Sequence, residues 1–259
     1  MSDGPESAPK TAAQVPIPAS AAAATDSPCP PEMARVGSFC VDRYEAVLKE
    51  RRPDGELVAH PHAERPRAGA VYVAASEPAV YPQAYISRDE AEAACGNAAK
   101  RLCNRSEWLL ACRGTSPSVV PVDGEMPCNN AKEHLMSKLF GVHPNYPYED
   151  FNSPALDSLP GFLAKTGEFK NCSSDFGVHD MVGNLHEWIS DTVSQQFLAA
   201  MEGETRRRGQ PTFPGAGIFM GGFFSTNGEH GPGCLFTTIA HEPAYHDYST
   251  GFRCCKDAR

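Results

Sequence analysis

The chain has 259 residues, 41% of them hydrophobic, and a formal net charge of −9 at pH 7. This length and apolar content allow one large domain or two small ones with a buried core. The negative charge argues against nucleic-acid binding, and the chain lacks the run of about 18 apolar residues that a transmembrane helix needs.

Residues 1–28 are rich in alanine, proline and serine and hold hardly any large apolar side chains. Such a segment buries too little surface to offset its ordering entropy, so we predict a disordered tether before a folded domain at 29–259. A disordered tail without a role is the alternative. The segment lacks the basic and apolar regions of a signal peptide, so we expect either a leader outside this chain or another export route.

From residue 29 the composition changes, and the stretch 29–48 predicts two short strands that a Cys29–Cys40 bridge could join. Capping boxes predict helices that begin after Ser87 and Asn104. Gly114 is placed to end the second helix. The rest of the chain is predicted to be mostly loops, with short strands at "GIFMGGFF" and "TGFRCC".

The ten cysteines are scattered along the chain without a C-x-x-C pair, which argues against a zinc ribbon or a thioredoxin-like motif. An even number of scattered cysteines in an acidic chain is typical of a disulfide framework. We therefore expect an extracytoplasmic protein, whether periplasmic, on the cell surface or secreted.

Five blocks occur in a characteristic order, namely "FCVDRYEA", "ISRDEAEAACGNAAKRLCNRSEWLLACRG", "FGVHDMVGNLHEWISD", "MGGFF" and "GFRCC". In this order, over residues 36–257, the chain resembles the formylglycine-generating, or sulfatase-modifying-factor, family. That family also includes the ergothioneine sulfoxide-synthase and pyoverdine-maturation branches. The resemblance implies a single disulfide-rich α+β domain with a variant C-type-lectin-like fold and little regular secondary structure.

The resemblance also implies how the cysteines pair. The two structural disulfides of the family fall on two pairs here, and the positions of the remaining cysteines suggest the other bridges. The expected pairs are Cys95–Cys254 and Cys112–Cys234 from the family, then Cys103–Cys255, Cys128–Cys172 and Cys29–Cys40.

A structural calcium site is implied at the "GNLHEW" block. The ligands would be the carboxylate of Glu187 and the backbone carbonyls that match the family's, those of Val182, Gly183 and Leu185. Calcium accepts such a mixture of hard oxygen ligands. Asn184 would either ligate or brace the loop, and a Glu187 that caps the start of a helix is the alternative.

A second family calcium site would fall on Asn130 with the following carbonyl, and on Asp150 with Phe151. An insertion separates the two halves of this match. An ordinary Asx turn is the alternative interpretation.

The catalytic positions of the family are altered. Formylglycine-generating enzymes have a serine and two copper-binding cysteines where this chain has Phe223, Thr226 and Gly231. Copper(I) prefers thiolate ligands, which a threonine and a glycine do not supply. Trp188 matches the pocket tryptophan of the family. We therefore expect part of the pocket wall without the copper site.

Other chemistries remain possible in the same pocket. His230, His241 and His246, near Glu242 and Asp247, could hold iron or zinc, although loop histidines are more often solvated.

Ser225 is a candidate hydrolase nucleophile, but no G-x-S-x-G motif surrounds it. The His60-Pro61-His62 run is predicted to lie in an exposed loop.

Two functions follow from this sequence. The first is an exported domain without formylglycine-generating activity that binds a peptide, a glycan or a protein partner. The alternative is a divergent metal-dependent oxidase, an oxidoreductase that acts on a peptide or a small molecule.

Overall fold

The computed structural model describes residues 28–115, 128–201, 212–226 and 230–258. The predicted tether up to residue 27 lies outside this part of the chain. The strands are β1 (Met33–Val36), β2 (Phe39–Asp42), β3 (Ala46–Arg51), β4 (Leu57–Ala59), β5 (Val71–Ser76), β6 (Arg101–Leu102), β7 (His186–Thr192), β8 (Gly217–Met220), β9 (Thr237–His241), β10 (Thr250–Phe252) and β11 (Cys254–Asp257). The helices are α1 (Arg88–Asn97), α2 (Arg105–Arg113), α3 (Leu135–Phe140), α4 (Tyr148–Phe151) and α5 (Gln195–Met201), with one 3-10 turn, Gly233–Leu235.

Both predicted helix starts are confirmed. The Ser87 hydroxyl accepts a hydrogen bond from the Glu90 amide, and the Glu90 carboxylate accepts one from the Ser87 amide. Asn104 and Glu107 form the same reciprocal pair at the start of α2. Each box satisfies amides that a helix start otherwise leaves unpaired. Gly114 ends α2 with a φ of 65°, a backbone conformation that glycine adopts without strain.

Three small sheets form the domain. The first has the strand order β1-β2-β11-β6, the second β10-β7-β8-β9, and the third β4-β3-β5. In the second sheet β7 pairs parallel with β10 and antiparallel with β8. The sequence blocks "GNLHEW", "GFRCC" and "MGGFF" therefore meet in neighbouring strands, although up to 70 residues separate them in the chain.

Five disulfides connect these elements, and among the described residues no cysteine is free. Two of them anchor β11 to α1 and to the residue after β6, and one ties α2 to the 3-10 turn. The pairs are the ones expected from the sequence, Cys29–Cys40, Cys95–Cys254, Cys103–Cys255, Cys112–Cys234 and Cys128–Cys172. Such a framework is typical of proteins that fold in an oxidising compartment.

The predicted α+β class with little regular structure is confirmed. Long loops run between the short strands, and the disulfides restrict those loops in the unfolded chain. Within the described ranges, no helix has the length and apolar character to cross a membrane.

Candidate functional site

The signature strand β7 separates two polar regions. Successive side chains of a strand point to opposite faces. His186 and Trp188 both contact Phe219, whereas Glu187 contacts Trp108 and Arg253 on the other side.

The first region is a buried ion pair. The Arg253 guanidinium is fully buried and donates to both carboxylate oxygens of Glu187, at 2.6 and 2.7 Å. It also donates to the carbonyls of Asp42 and His179. The Trp108 indole N–H donates to Glu187 at 2.7 Å. Burial without such partners would be very costly for either charge, so this bidentate pair fixes β7 against β11 and α2.

Two further acids lie beside this pair. The Glu45 carboxylate accepts hydrogen bonds from the Leu185 amide and the Asn184 side chain. Burial, together with the charges of Asp180 and Glu187, raises the pKa of Glu45 well above its ordinary value. Burial also raises the pKa of Asp180 to about 6. Arg253, Glu187, Glu45 and Asp180 are called the buried charge network below.

The contacts of Glu187 in the buried charge network bear on the prediction that its carboxylate binds calcium. Both oxygens of Glu187 are engaged by Arg253 and Trp108, so a calcium ion at this carboxylate would have to displace or face a guanidinium. Glu187 lies in strand β7, and the alternative of a helix-start cap is therefore wrong. Asn184 bonds to Asn129, Ala164 and Glu45, which makes it a brace of the loop. Val182 and Gly183 precede Asn184 and Leu185 follows it. Their backbone carbonyls are the other ligands expected for calcium.

The predicted second calcium site is split between two elements. Asn130 follows Cys128, and its buried side-chain oxygen has no hydrogen-bond partner. Asp150 and Phe151 belong to the short helix α4. No hydrogen bond or ion pair within the described residues joins Asn130 to Asp150, and the second site stays a prediction.

Residues 222–226 form a turn that hydrogen bonds between Phe223 and Thr226 close. The Thr226 hydroxyl accepts a hydrogen bond from the Phe223 amide at 2.7 Å, and the Thr226 amide donates to the Phe223 carbonyl. Gly222 has a φ of +76°, and a Cβ there would lie 2.7 Å from the Thr226 hydroxyl oxygen. Thr226 therefore closes this turn.

The other altered position, Gly231, is also shaped by the backbone. Its φ is +120°, and an added Cβ would lie 2.7 Å from the Leu235 carbonyl oxygen. A cysteine could not occupy this position without a shift of the backbone. The neighbouring Cys234 is bonded to Cys112 and offers no thiol.

The hydrolase reading loses support at Ser225. Its hydroxyl is buried and donates to the Glu133 carbonyl at 2.9 Å. No histidine among the described residues bonds to this hydroxyl, so the base that a serine nucleophile requires is missing from its surroundings.

The second region contains histidines among aromatic rings. The buried His186 ring lies 4.5 Å from Phe219, 5.0 Å from Phe223 and 5.4 Å from Phe236 between ring centres. His241 stacks on Tyr245 at 3.9 Å, and His230 lies 5.2 Å from Phe236. We call this set the histidine–aromatic cluster: His186, His230, His241, Phe219, Phe223, Phe236 and Tyr245.

Two imidazoles of this cluster, those of His186 and His241, are held neutral. Burial, and secondarily the proximity of His241 and His230, lowers the pKa of His186 well below its ordinary value. Burial and His230 lower the pKa of His241 to about 4. The Nδ1 atom of His186 is buried and has no hydrogen-bond partner. A neutral imidazole nitrogen can accept a proton or a hydrogen bond, or bind a metal.

The predicted histidine set is only partly assembled. His246 lies apart from the cluster and bonds to Asn152 and Tyr148. Asp247 accepts bonds from Tyr245 and Ser249. In the part of the chain that the structure describes, no three His, Cys, Asp or Glu side chains are arranged to hold a metal ion. Within these ranges, His230, His241 and His246 therefore do not form a preformed iron or zinc centre with Glu242.

Trp188 also differs from its predicted role as a pocket wall. The side chain is fully buried, and its indole N–H donates to the Ile86 carbonyl at 2.9 Å. It packs edge-on against Phe219. Trp188 therefore supports the histidine–aromatic cluster from the core, whereas the half-buried Phe223 provides its outer ring.

Sequence reasoning missed His186, Glu45 and Arg253. The period of two along β7 would have placed His186 beside Trp188. Nothing comparable identifies Arg253 as the partner of Glu187, because the pairing of β7 with β10 brings them together across the fold.

The family model described as "Sulfatase-modifying factor enzyme 1-like domain" matches residues 8–258. Among solved structures, PvdO from Pseudomonas aeruginosa is 17% identical, with 85% of this chain and 80% of that chain covered and a TM-score of 0.48. CarF is 13% identical, with 85% of this chain and 87% of that chain covered and a TM-score of 0.39. The Major Tropism Determinant I1 variant is 12% identical, with 90% of this chain and 54% of that chain covered and a TM-score of 0.47. These likenesses carry no argument about activity, and no protein of curated function matches the chain.

Proposed function

The chain belongs to the sulfatase-modifying factor enzyme 1-like family, and from that membership we propose that it is an exported binding domain without formylglycine-generating activity. Its variant C-type-lectin-like α+β fold is the one predicted from the sequence blocks. The ligand would be a peptide, a glycan or a protein segment that meets the histidine–aromatic cluster.

The observation that carries this proposal is the state of the two altered positions. Thr226 closes a turn through its hydroxyl, and Gly231 leaves no room for a Cβ. Since the described cysteines are all in disulfides, no thiolate pair is available to hold copper(I). The family reaction thus lacks both its metal ligands and its exchangeable thiol.

The histidine–aromatic cluster supports a role in binding. Aromatic rings offer a large contact area, and polar atoms among them can orient a ligand. Phe223 is half-buried and contacts His186, Phe224 and Tyr248. The free Nδ1 of His186 is suited to a ligand that donates a hydrogen bond.

A cysteine-peptide assay tests the loss of activity. The oxidised protein is incubated with a Cys-x-Pro-x-Arg peptide, copper, a reductant and air, and the peptide is analysed by mass spectrometry. We expect no aldehyde product, while a disulfide map confirms that the protein is folded. Aldehyde formation that disappears in a Cys234→Ser variant would refute the proposal and make Cys234 the reactive residue.

A binding assay tests the other part of the proposal, that the histidine–aromatic cluster binds a ligand. Peptide and glycan arrays are probed with the wild-type protein and with Phe223→Ala, which shortens the outer ring of the cluster. We expect at least one class of ligand to bind the wild type and to lose binding in the variant. Leu110→Ala, a change at an exposed apolar residue of α2, is the matched control and should leave the array signal unchanged.

A metal-dependent oxidase is the second candidate, and the buried, neutral imidazoles of His186 and His241 favour it, although no three such side chains of the described residues are already arranged around a metal. Burial keeps the pKa of His186 and His241 low, and neutral imidazoles suit iron, copper or zinc. Its test is metal analysis after incubation with each ion, for the wild type and for His186→Phe. Stoichiometric binding that the variant loses would establish the metal site, and its absence would leave the binding role.

A further inference from the structure

A cavity of about 370 Å³ lies between β3, β4 and the loop that follows β5. Its lining shares no residue with the histidine–aromatic cluster. Apolar atoms of Val47, Ala59 and Val80 contribute to its walls. We call it the β3–β4 cavity, and its polar lining consists of Lys49, His62, Glu77, Tyr81, Gln83 and Lys165.

Gln83 gives this cavity a fixed hydrogen-bond acceptor. Its side-chain nitrogen donates to the carbonyls of His62, Glu64 and Ala84, at 3.2, 2.8 and 2.7 Å. These three bonds determine which end of the amide is the oxygen. That oxygen is buried and has no hydrogen-bond partner. Because buried polar atoms are nearly always paired, a donor from a bound molecule would complete this site.

Tyr81 supplies an aromatic surface. Its side chain is 40% exposed and stacks on His62 with ring centres 4.7 Å apart. The Lys165 ammonium lies 5.6 Å from the centre of the same ring. The histidines of the His60-Pro61-His62 run are thus wall residues of a cavity, and His62 is half-buried. A flat ring can stack against such a surface.

The charges of the lining favour an anion. Lys49 forms an ion pair with Glu77, whereas no carboxylate among the described residues pairs with Lys165. Among the lysines and acids of the lining, two lysines and one glutamate leave one positive charge, although the whole chain is negative. Burial lowers the pKa of His62, which is consistent with that count.

We propose that the β3–β4 cavity binds a small ring-shaped carboxylate that also carries a hydroxyl group. The ring stacks on Tyr81, the carboxylate pairs with Lys165, and the hydroxyl donates to the Gln83 oxygen. The volume is at the small end for ligand pockets, about 300–1,000 Å³, and suits one ring. A uronic acid and a hydroxylated aromatic acid both have this chemistry.

Calorimetry and NMR titration of the full chain test the proposal. Glucuronate and 4-hydroxybenzoate are the two probes, which distinguishes a sugar source from an aromatic source. Glucose lacks the carboxylate, and benzoate lacks the hydroxyl. We expect saturable binding of one probe at millimolar concentration or below, and at least tenfold weaker binding of its incomplete counterpart.

Variants at exposed positions keep the test independent of folding. Lys165→Met should weaken binding about tenfold, the equivalent of about 1.4 kcal/mol, whereas Lys170→Met, at an exposed lysine outside the cavity, should not. Tyr81→Leu should weaken binding, and Tyr81→Phe should retain it because the ring remains. The proposal is overturned if neither probe binds, or if Lys165→Met and Lys170→Met bind equally well. Phe223→Ala, which tests the proposed function, should leave this binding intact.

Discussion

Two regions meet at strand β7, and they differ in how completely their polar atoms are satisfied. On one face, the Glu187 carboxylate and the Arg253 guanidinium are buried and bonded to each other, to Trp108 and to backbone carbonyls. On the other face, the Nδ1 of His186 is buried without a hydrogen-bond partner, and the His186 ring lies against the half-buried Phe223. The two faces belong to the same short sequence block.

The residues on the two faces of β7 therefore contribute differently to the fold. Glu187 and Arg253 are needed for the fold, because a buried charge without its partner is strongly destabilising. The turn at 222–226, in contrast, is held by hydrogen bonds between Phe223 and Thr226 and carries no buried charge. The predictions below test the two faces in order of decreasing effect.

The largest effect is expected from Glu187→Gln. The change keeps the shape of the side chain but leaves Arg253 as an uncompensated buried charge, so the free energy of unfolding should fall by about 3–5 kcal/mol. Urea denaturation measures it. Glu149→Gln, at an exposed residue of α4, is the control and should change stability by less than about 0.5 kcal/mol.

The same pair of proteins tests the calcium prediction at Glu187. Since Arg253 already engages both carboxylate oxygens, we expect calcium to leave the melting temperature of the wild type unchanged. A rise in Tm with calcium that is lost in Glu187→Gln would instead make this carboxylate a calcium ligand.

Removal of the Cys112–Cys234 bridge should have the next largest effect. The bridge joins α2 to the 3-10 turn across 122 residues of chain, and its loss should cost about 2–4 kcal/mol because the unfolded chain gains freedom. The Cys112→Ala/Cys234→Ala double variant avoids an unpaired thiol. An unchanged unfolding midpoint would mean that the turn is held by packing alone.

Gly231→Cys should destabilise the protein by about 1–3 kcal/mol, the usual range for a residue forced into a rare backbone conformation. The cause is the φ of +120° and the short distance from an added Cβ to the Leu235 carbonyl. Gly55→Cys, in a turn where an added Cβ has open space although φ is +90°, isolates the contribution of the contact. Equal losses in both variants would contradict the steric argument.

The smallest effect concerns pH. Burial lowers the pKa of His241 to about 4, whereas an unfolded histidine titrates near pH 6.5. Between these values the unfolded chain binds a proton that the folded chain does not, so His241 reduces stability as the pH falls from about 6.5 to 4.

His241→Phe should remove that loss, and urea denaturation at a series of pH values measures the difference from the wild type. Asp180, with its pKa raised to about 6, acts in the opposite sense in both proteins and cancels in the difference. His143→Gln, at an exposed residue of the α3–α4 loop, should follow the wild-type profile. A His241→Phe profile parallel to the wild type would show that the pKa of His241 is the same in the folded and the unfolded chain.

Local patterns in the sequence determined several parts of this protein. The capping boxes at Ser87 and Asn104 fixed both helix starts, because their hydrogen bonds span only three residues. The ordered blocks identified the family, and through it the bridges Cys95–Cys254 and Cys112–Cys234. The family resemblance also led to the prediction that Thr226 and Gly231 stand where the family has its reactive residues, which stays a prediction.

Only the tertiary structure decided the roles of the residues around β7. Arg253 pairs with Glu187 across 66 residues of chain. His186 and His241 both contact Phe219 because β8 lies between β7 and β9 in one sheet. Trp188 belongs to the core, and His246 lies away from the cluster, for the same reason. Contacts between distant segments depend on how the strands pair and pack, and burial then sets the pKa of each group. A sequence motif identifies such residues, but it does not determine which distant residues they contact in the fold.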